Sequence, residues 1–149
     1  MKDNLYKAFI DATQNVFNLM LNISEISDCP AGDFKCDDEV DIAIGVTGDL
    51  NGKVIYRFPV STSLNMVNVM SGMQFDSVDA FVTSAISEIA NIISGNVLSA
   101  LSENDMDCDI LPPVQCTLDD EKTYEIEASR CISTSIGEIC LDIKLNRAA

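Results

Sequence analysis

The feature that most constrains the fold is a long proline-free stretch from about Ser77 to Glu103, where apolar residues recur at helical spacing. At about 100° per residue, one side of this predicted helix gathers apolar side chains: Val82, Ala85, Ile86, Ile89, Ile93, Val97 and Ala100. Such a side must be covered, because apolar surface left in water costs free energy. We therefore predict that this helix packs on the core of a domain.

The opposite side of the same helix is polar but almost uncharged. Glu88 is the only ionised residue between Ala80 and Ser102. Solvated helix faces usually carry Lys, Glu and Arg, whereas Ser, Asn and Gly lower helix propensity. Either this face docks against another protein, or it packs under strands or a loop of the same domain. The residues on this side are Ser84, Ser87, Glu88, Asn91, Ser94, Gly95 and Ser102.

The first half of the chain predicts a helix, a strand hairpin and a short second helix. The first helix, over 3–22, has its apolar stripe at Leu5, Phe9, Ala12, Val16, Leu19 and Ile23. Residues 26–39 have loop composition, and the alternating runs 40–46 and 53–58 predict a hairpin with one buried face. The short helix ends at Ser71-Gly72, with caps offered by Ser61, Thr62 and Ser63.

The last section predicts two or three strands, with a turn at 135–137. The order of elements is that of an α+β domain, in which an antiparallel sheet packs against the long mid-chain helix and the N-terminal helix. No linker composition interrupts the chain, so we predict a single domain over residues 1–149. The predicted strands are 114–118, 124–128 and 138–145.

Composition excludes several classes of function. With 9 basic and 24 acidic residues, the net charge of −15 disfavours nucleic-acid binding and attachment to anionic membranes. The absence of histidine excludes catalytic dyads and triads that need this residue. The N-terminus lacks the apolar segment of a signal peptide, and no apolar stretch approaches the ~18–20 residues that a bilayer span needs. We therefore expect a cytoplasmic protein.

A metal site of the chain's own is not expected. The six cysteines form no C-x-x-C pair, and Asp105-x-Asp107-x-Asp109 lacks the later glycine and glutamate of an EF-hand loop. A last hairpin turning at Ser135-Ile136 would place Cys131 opposite Cys140, although a reducing cytoplasm disfavours a disulfide there.

The run Ser84-x-x-x-Glu88-Ile89-Ala90-Asn91-Ile92-Ile93-Ser94-Gly95-Asn96 resembles the helix signature of the CheC/CheX/FliY family of chemotaxis phosphatases. That pattern continues with a proline a little over twenty residues after the asparagine. Pro112 and Pro113 follow Asn91 after 20 and 21 residues, and either can correspond to it. The first helix offers only Asp11-x-x-Gln14 in place of a second Glu-x-x-Asn site, which makes the chain most similar to CheX-like members.

The resemblance implies hydrolysis of the phosphoaspartate on a CheY-type response regulator. Asn91 would hold the attacking water in line with the phosphorus, and Glu88 would pair with a lysine of the regulator. Ser84, Gly95 and Pro113 are the further candidates for partner contact, with Gly95 otherwise serving helix packing. The family also implies a homodimer, no cofactor of its own, and Mg²⁺ bound by the regulator.

Three alternatives stay open. The chain could be a catalytically inactive adaptor or flagellar-switch-type binding module of the same fold. It could also be a structural homodimer whose polar helix face is the interface. At the level of single residues, Asn91 could simply bond a neighbouring loop, and Glu88 could be an ordinary solvated carboxylate.

Overall fold

A computed structural model describes residues 2–21, 26–30, 39–103, 106–115 and 124–147. Within these ranges the fold is α+β, as predicted, with three helices packed on one face of a seven-stranded antiparallel sheet. The helices are α1 Lys2–Leu21, α2 Val60–Ser71 and α3 Ala80–Glu103. The strands are β1 Ile26–Pro30, β2 Glu39–Gly48, β3 Leu50–Pro59, β4 Cys108–Ile110, β5 Val114–Gln115, β6 Ile126–Thr134 and β7 Gly137–Arg147.

Two hairpins build the centre of the sheet. The strand order is β1-β6-β7-β3-β2-β4, with β5 also paired to β2. The hairpins β2–β3 and β6–β7 meet through antiparallel pairing of residues 50–57 with residues 140–147. Both predicted hairpins are therefore confirmed, and the second turns at Ser135-Ile136 as expected.

The core lies between the sheet and the helices, because apolar side chains alternate along each central strand. Their inward residues meet the apolar sides of α1, α2 and α3 in one continuous cluster. Fully buried members of the inward sheet face include Ile42, Ile44, Tyr56, Phe58 and Ile132.

Local signals fix the ends of α2 and α3. Asp79 caps α3, since its Oδ1 accepts a hydrogen bond of 2.9 Å from the backbone N–H of Val82. Gly72 ends α2 in the left-handed conformation, with φ of 71°, and its N–H donates to the carbonyl oxygen of Asn68. The predicted caps in 61–63 are wrong: α2 begins directly after Pro59, and Thr62 and Ser63 are buried inside the helix.

Thr62 instead joins α2 to the β6–β7 turn. Its hydroxyl donates a hydrogen bond of 3.0 Å to the carbonyl oxygen of Glu138. Gly137 has φ of 136°, and a Cβ added there would lie 2.1 Å from Thr62 Oγ1. A side chain at this turn is therefore excluded both by the backbone conformation and by the contact with α2.

Two further expectations are corrected. Residues 26–30, predicted as loop, pair as edge strand β1 with β6. Leu19, predicted on the apolar stripe of α1, is 79% exposed, whereas Phe17 is buried. Ile23 lies outside the described residues, as does the part 116–118 of the predicted strand 114–118, whose start is β5.

The β2–β3 hairpin buries side chains on both faces, not on one as predicted. Asp41 and Ile55 point away from the helices, because they alternate with the inward residues, yet both are buried. The sheet face opposite the helices is called the outer face below.

Among the described helices, α3 is long and apolar enough to span a membrane by length and composition, contrary to the expectation for the sequence. In this fold it is a core helix, and eight of its side chains are buried. The buried residues are Val82, Ile86, Ile89, Ala90, Ile93, Ser94, Val97 and Leu101.

Candidate functional site

The polar side of α3 forms a row along the outside of the molecule, called the α3 row and consisting of Ser84, Glu88, Asn91 and Gly95. Ser84 and Glu88 are exposed, and Asn91 and Gly95 are partly exposed. Successive members lie three or four residues apart, so each is about one helical turn from the next. The interpretation that this face is covered by strands or a loop of the same domain is wrong for Ser84 and Glu88.

The side chains of Ser84, Glu88 and Asn91 make no hydrogen bond or ion pair in the part of the chain that the structure describes. Neighbouring polar residues behave differently: Asn96 donates to the carbonyl oxygen of Ile92, and Ser99 donates to that of Gly95. The carboxylate and the carboxamide of the row are therefore available to a partner molecule.

Ser94 was predicted on the outward side of α3, and this prediction is wrong. It is 4% exposed, and its hydroxyl lies 2.8 Å from the phenol oxygen of Tyr56 on the central strand β3. Burial raises the pKa of Tyr56 well above its usual value, so the phenol stays neutral and hydrogen-bonded. This buried bond fixes the rotation of α3 on the sheet, and with it the outward direction of Asn91 one turn earlier.

Gly95 leaves open space beside the row. A Cβ added to this residue would meet no atom within 4 Å outside its immediate helix. The expectation that Gly95 serves helix packing within the chain is therefore wrong.

Pro113 lies between β4 and β5 and is partly exposed. No hydrogen bond in the described ranges joins it to α3. On α1, Asp11 is exposed and lines a shallow surface groove with Asn96 and Ala100 rather than belonging to the α3 row.

The segment of the chain that carries the α3 row has charge of one sign. Residues 58–121 contain no lysine or arginine, so α2, α3 and the loop between them carry only acidic charges. The exposed carboxylates of Asp76, Asp79 and Glu88 belong to this segment. A cation that pairs with Glu88 on docking must therefore come from outside the segment.

A second polar region, called the outer cluster, lies on the outer face and consists of Glu39, Asp41, Arg57 and Asp142. Arg57 Nη2 lies 3.0 Å from Glu39 Oε1, and Arg57 Nη1 lies 3.7 Å from Asp142 Oδ2. Asp142 also accepts a hydrogen bond from the hydroxyl of Ser129. One arginine thus joins carboxylates from β2 and β7 across the strand between them.

Asp41 is a buried member of the outer cluster whose hydrogen bonding is incomplete. It is 9% exposed, and its Oδ1 has no hydrogen-bond partner among the described residues. Burial, reinforced by the negative charge of Glu39, raises the pKa of Asp41 from 3.8 to about 6.

Cys131 and Cys140 lie directly opposite each other on β6 and β7, as predicted, and they are not joined by a disulfide. Burial and the charge of Asp142 raise the pKa of Cys140 to about 11, which makes this thiol a weak nucleophile.

In the described part of the chain, no group of three Cys, Asp or Glu side chains is arranged to hold a metal ion. Of the aspartates that resemble an EF-hand, Asp105 lies outside that part. The backbone N–H of Asp107 donates a hydrogen bond of 2.7 Å to Asp49 Oδ2.

Comparisons with known proteins agree with this architecture. The family described as "Chemotaxis phosphatase CheX" matches residues 40–136, about two thirds of the chain. The protein named CheY-P phosphatase CheX from Thermotoga maritima is 37% identical over 71 residues, which are 47% of this chain and 46% of that protein. The matched region thus spans about half the length of this relative.

Two crystal structures share the fold. The chemotaxis protein CheX from Vibrio vulnificus superposes with a TM-score of 0.81 at 20% identity, covering 98% of this chain and 99% of that one. The CheX of a CheX-CheY-BeF3-Mg complex from Borrelia burgdorferi gives 0.74 at 20% identity, covering 95% and 97%. FliY from Thermotoga maritima is a more distant neighbour, at 0.65.

The family match covers the α3 row and most of the sheet beneath it. The chain therefore belongs to the CheX family of chemotaxis phosphatases.

Proposed function

We propose that this protein hydrolyses the phosphoaspartate of a CheY-type response regulator and that the α3 row enters the regulator's active site. The observation that carries the proposal is the exposed Glu88 and Asn91 pair, one turn apart and without a partner in the described ranges. The family match and the Borrelia burgdorferi complex, in which a CheX is bound to CheY, support the same class of partner.

Asn91 positions the attacking water. Its carboxamide oxygen accepts a hydrogen bond while the NH₂ group donates in another direction, so one side chain can orient a water against the phosphoryl group. Phosphoryl transfer depends mainly on position and electrostatics, and an orienting amide suffices where no histidine is present to act as a base. The bond between Tyr56 and Ser94 supports this role, because it holds the helix in a fixed rotation.

Glu88 pairs with a lysine of the regulator. A charge-assisted contact that becomes desolvated on docking sets the depth and register of the helix in the partner. The absence of basic residues in 58–121 leaves Glu88 without competition from its own segment.

The remaining candidates act by contact. Ser84 bonds the backbone of the regulator or leaves room for it, Gly95 admits close approach, and Pro113 contacts the partner from outside the row. Mg²⁺ belongs to the regulator, and the chain contributes no cofactor. The same proposal includes a cytoplasmic location and a homodimer.

The test is the rate at which a CheY-type regulator loses its phosphoaspartate in the presence of Mg²⁺. The arms are the parent protein, Asn91→Ala, Glu88→Ala and no addition. We expect acceleration by the parent, a loss of about 100-fold or more for Asn91→Ala at unchanged stability, and weakened regulator binding for Glu88→Ala.

Each alternative has its own result. Binding of the regulator without acceleration would favour the inactive adaptor. Impaired self-association in both variants, measured by sedimentation, would favour the structural homodimer. Full activity of Asn91→Ala would overturn the assignment of the water-positioning residue.

A further inference from the structure

The exposed apolar surface of the protein is concentrated at one end of the helical layer. Four of the large apolar residues that the structure shows exposed fall within 69–81. They are Val69, Met70, Met73 and Phe81, called the apolar corner below; Met73 is 62% and Phe81 56% exposed. Met and aromatic residues are enriched at protein interfaces, and contiguous exposed apolar patches mark interaction sites.

Specific contacts hold the corner together. The ring of Phe81 stacks on that of Phe75 with centroids 5.2 Å apart. The backbone N–H of Phe75 in turn donates to Asn68 Oδ1 at the end of α2, and the N–H of Met73 donates to Ser71 Oγ. The first residues of α3 are therefore fixed beside the last turn of α2.

The corner continues the α3 row. Phe81 precedes Ser84 by three residues and Glu88 by seven, which places it on the same face of the helix. Two turns separate Phe81 from Glu88, about 10 Å along the helix axis. A protein interface of ordinary size covers about 800 Å² of each partner, roughly 30 Å across, so a partner centred on Glu88 and Asn91 also reaches Phe81.

We propose that the apolar corner is a docking surface for the response regulator, outside the catalytic contacts, and that it takes an apolar patch of the regulator bordered by basic residues. This inference rests on the proposed function. The charge of the surface indicates the occupant: the segment 58–121, which carries the corner, has only acidic charges, and Asp76, Asp79 and Glu88 are those nearest to the corner in sequence. A second copy would oppose carboxylates to carboxylates, whereas a basic border complements them.

The test measures the dephosphorylation rate against the concentration of a phosphorylated CheY-type regulator, with Mg²⁺ present. Phe81→Ser should raise KM about tenfold and Met73→Ser about threefold, with kcat changed less than twofold, because apolar anchors contribute to binding and not to the chemical step. The matched control is Val114→Ser. Val114 is 61% exposed but pairs with Ala43 on the outer face, away from the helices.

Met73→Ser is included because Met73 is 62% exposed and lies in the loop between α2 and α3, so a change in KM there does not reflect disruption of α3. Binding to the regulator loaded with beryllium fluoride, which needs no turnover, provides the second readout. It should weaken in the same order in the two corner variants and stay unchanged in the control.

Failure of the inference and failure of the proposed function give different results. If the parent accelerates dephosphorylation and both corner variants keep its KM, the apolar corner does not bind the regulator, although the protein is a phosphatase. If the parent is inactive but binds the loaded regulator, and Phe81→Ser weakens this binding, the apolar corner binds the regulator and the protein is not a phosphatase. If the corner variants change only self-association, the occupant is a second copy and the inference is overturned.

Discussion

The α3 row and the outer cluster are both polar regions of a small acidic domain, and they differ in where their polar groups find partners. In the outer cluster Arg57 binds Glu39 and Asp142, and Asp142 is further bonded to Ser129. In the α3 row Glu88 and Asn91 face outward and make no side-chain bond within the described chain. In the first region the cation is bound by carboxylates of the same fold, and in the second the polar side chains are left for a partner.

The difference distinguishes polar groups that stabilise the fold from polar groups that are available to a partner. Buried charges must be matched inside the fold, since an unpaired charge out of water is costly. An exposed carboxylate and carboxamide incur no such cost, so their presence on a helix poor in charge points to a partner. Loss of the shared cation Arg57 should therefore reduce stability, whereas loss of a side chain in the α3 row should reduce binding or turnover.

The largest effect on stability is expected from Arg57→Met, which removes the cation that binds the carboxylates of the outer cluster. Three carboxylates would remain together without a cation, at a cost of about 3 kcal/mol in the free energy of unfolding. Urea unfolding at pH 7.5 measures the change. Arg147→Met, at an exposed position near the end of β7, is the control and should change stability by less than about 0.5 kcal/mol.

Asp41→Asn is expected to change the free energy of unfolding by a smaller amount and to raise it. Asp41 has a pKa of about 6 in the folded protein against an ordinary value of 3.8, so the folded chain binds its proton more tightly than the unfolded chain. Its contribution therefore lowers the free energy of unfolding as the pH rises from about 4 to about 6. Asp41→Asn should be more stable than the parent by about 2 kcal/mol at pH 7.5, with the gain disappearing near pH 4.

Urea titrations at the two pH values test this change, with exposed Asp76→Asn as the control at both. A loss of stability in Asp41→Asn at pH 7.5 would mean that the ionised carboxylate is attracted by Arg57 more strongly than burial disfavours it.

The smallest change in the free energy of unfolding is expected at Gly95, in the α3 row. Gly95→Ala adds a methyl group into open space and restores helix propensity, so the free energy of unfolding should rise by about 0.5–1 kcal/mol. Gly95→Leu should also fold normally but bind the regulator about threefold to tenfold more weakly, because the larger side chain occupies the space of the partner. Equal binding by both variants would remove Gly95 from the docking face.

Long segments with a regular spacing of apolar residues were sufficient to predict the main elements. Residues 80–103 and the alternating runs of β2, β3 and β7 carry enough apolar residues to specify their own burial, and the helix, the hairpins and the α+β class are confirmed. The short edge strands β1 and β4 were missed, because the strand they join supplies their hydrogen bonds and their own sequence shows no alternation.

Individual side chains near the ends or borders of helices were harder to place. Leu19 follows the stripe of α1 but is exposed in its last turn, and Ser94 lies at the border of the apolar side of α3, where only the tertiary contact with Tyr56 decides its direction. The outward direction of Ser84 and Glu88 followed from periodicity alone. The apolar corner did not, since its members lie on different elements that meet only in the folded chain.

The pairing of β3 with β7 has a consequence for the order of folding. Each hairpin closes a short loop and can form early, but residues 50–57 must find residues 140–147 before the sheet is continuous. Contacts so distant in sequence slow folding relative to a helical bundle of similar size, because loop-closure entropy opposes them. Tyr56, whose phenol oxygen contacts Ser94, lies within this pairing opposite Leu141, so the strand that positions α3 is also the strand that joins the two hairpins.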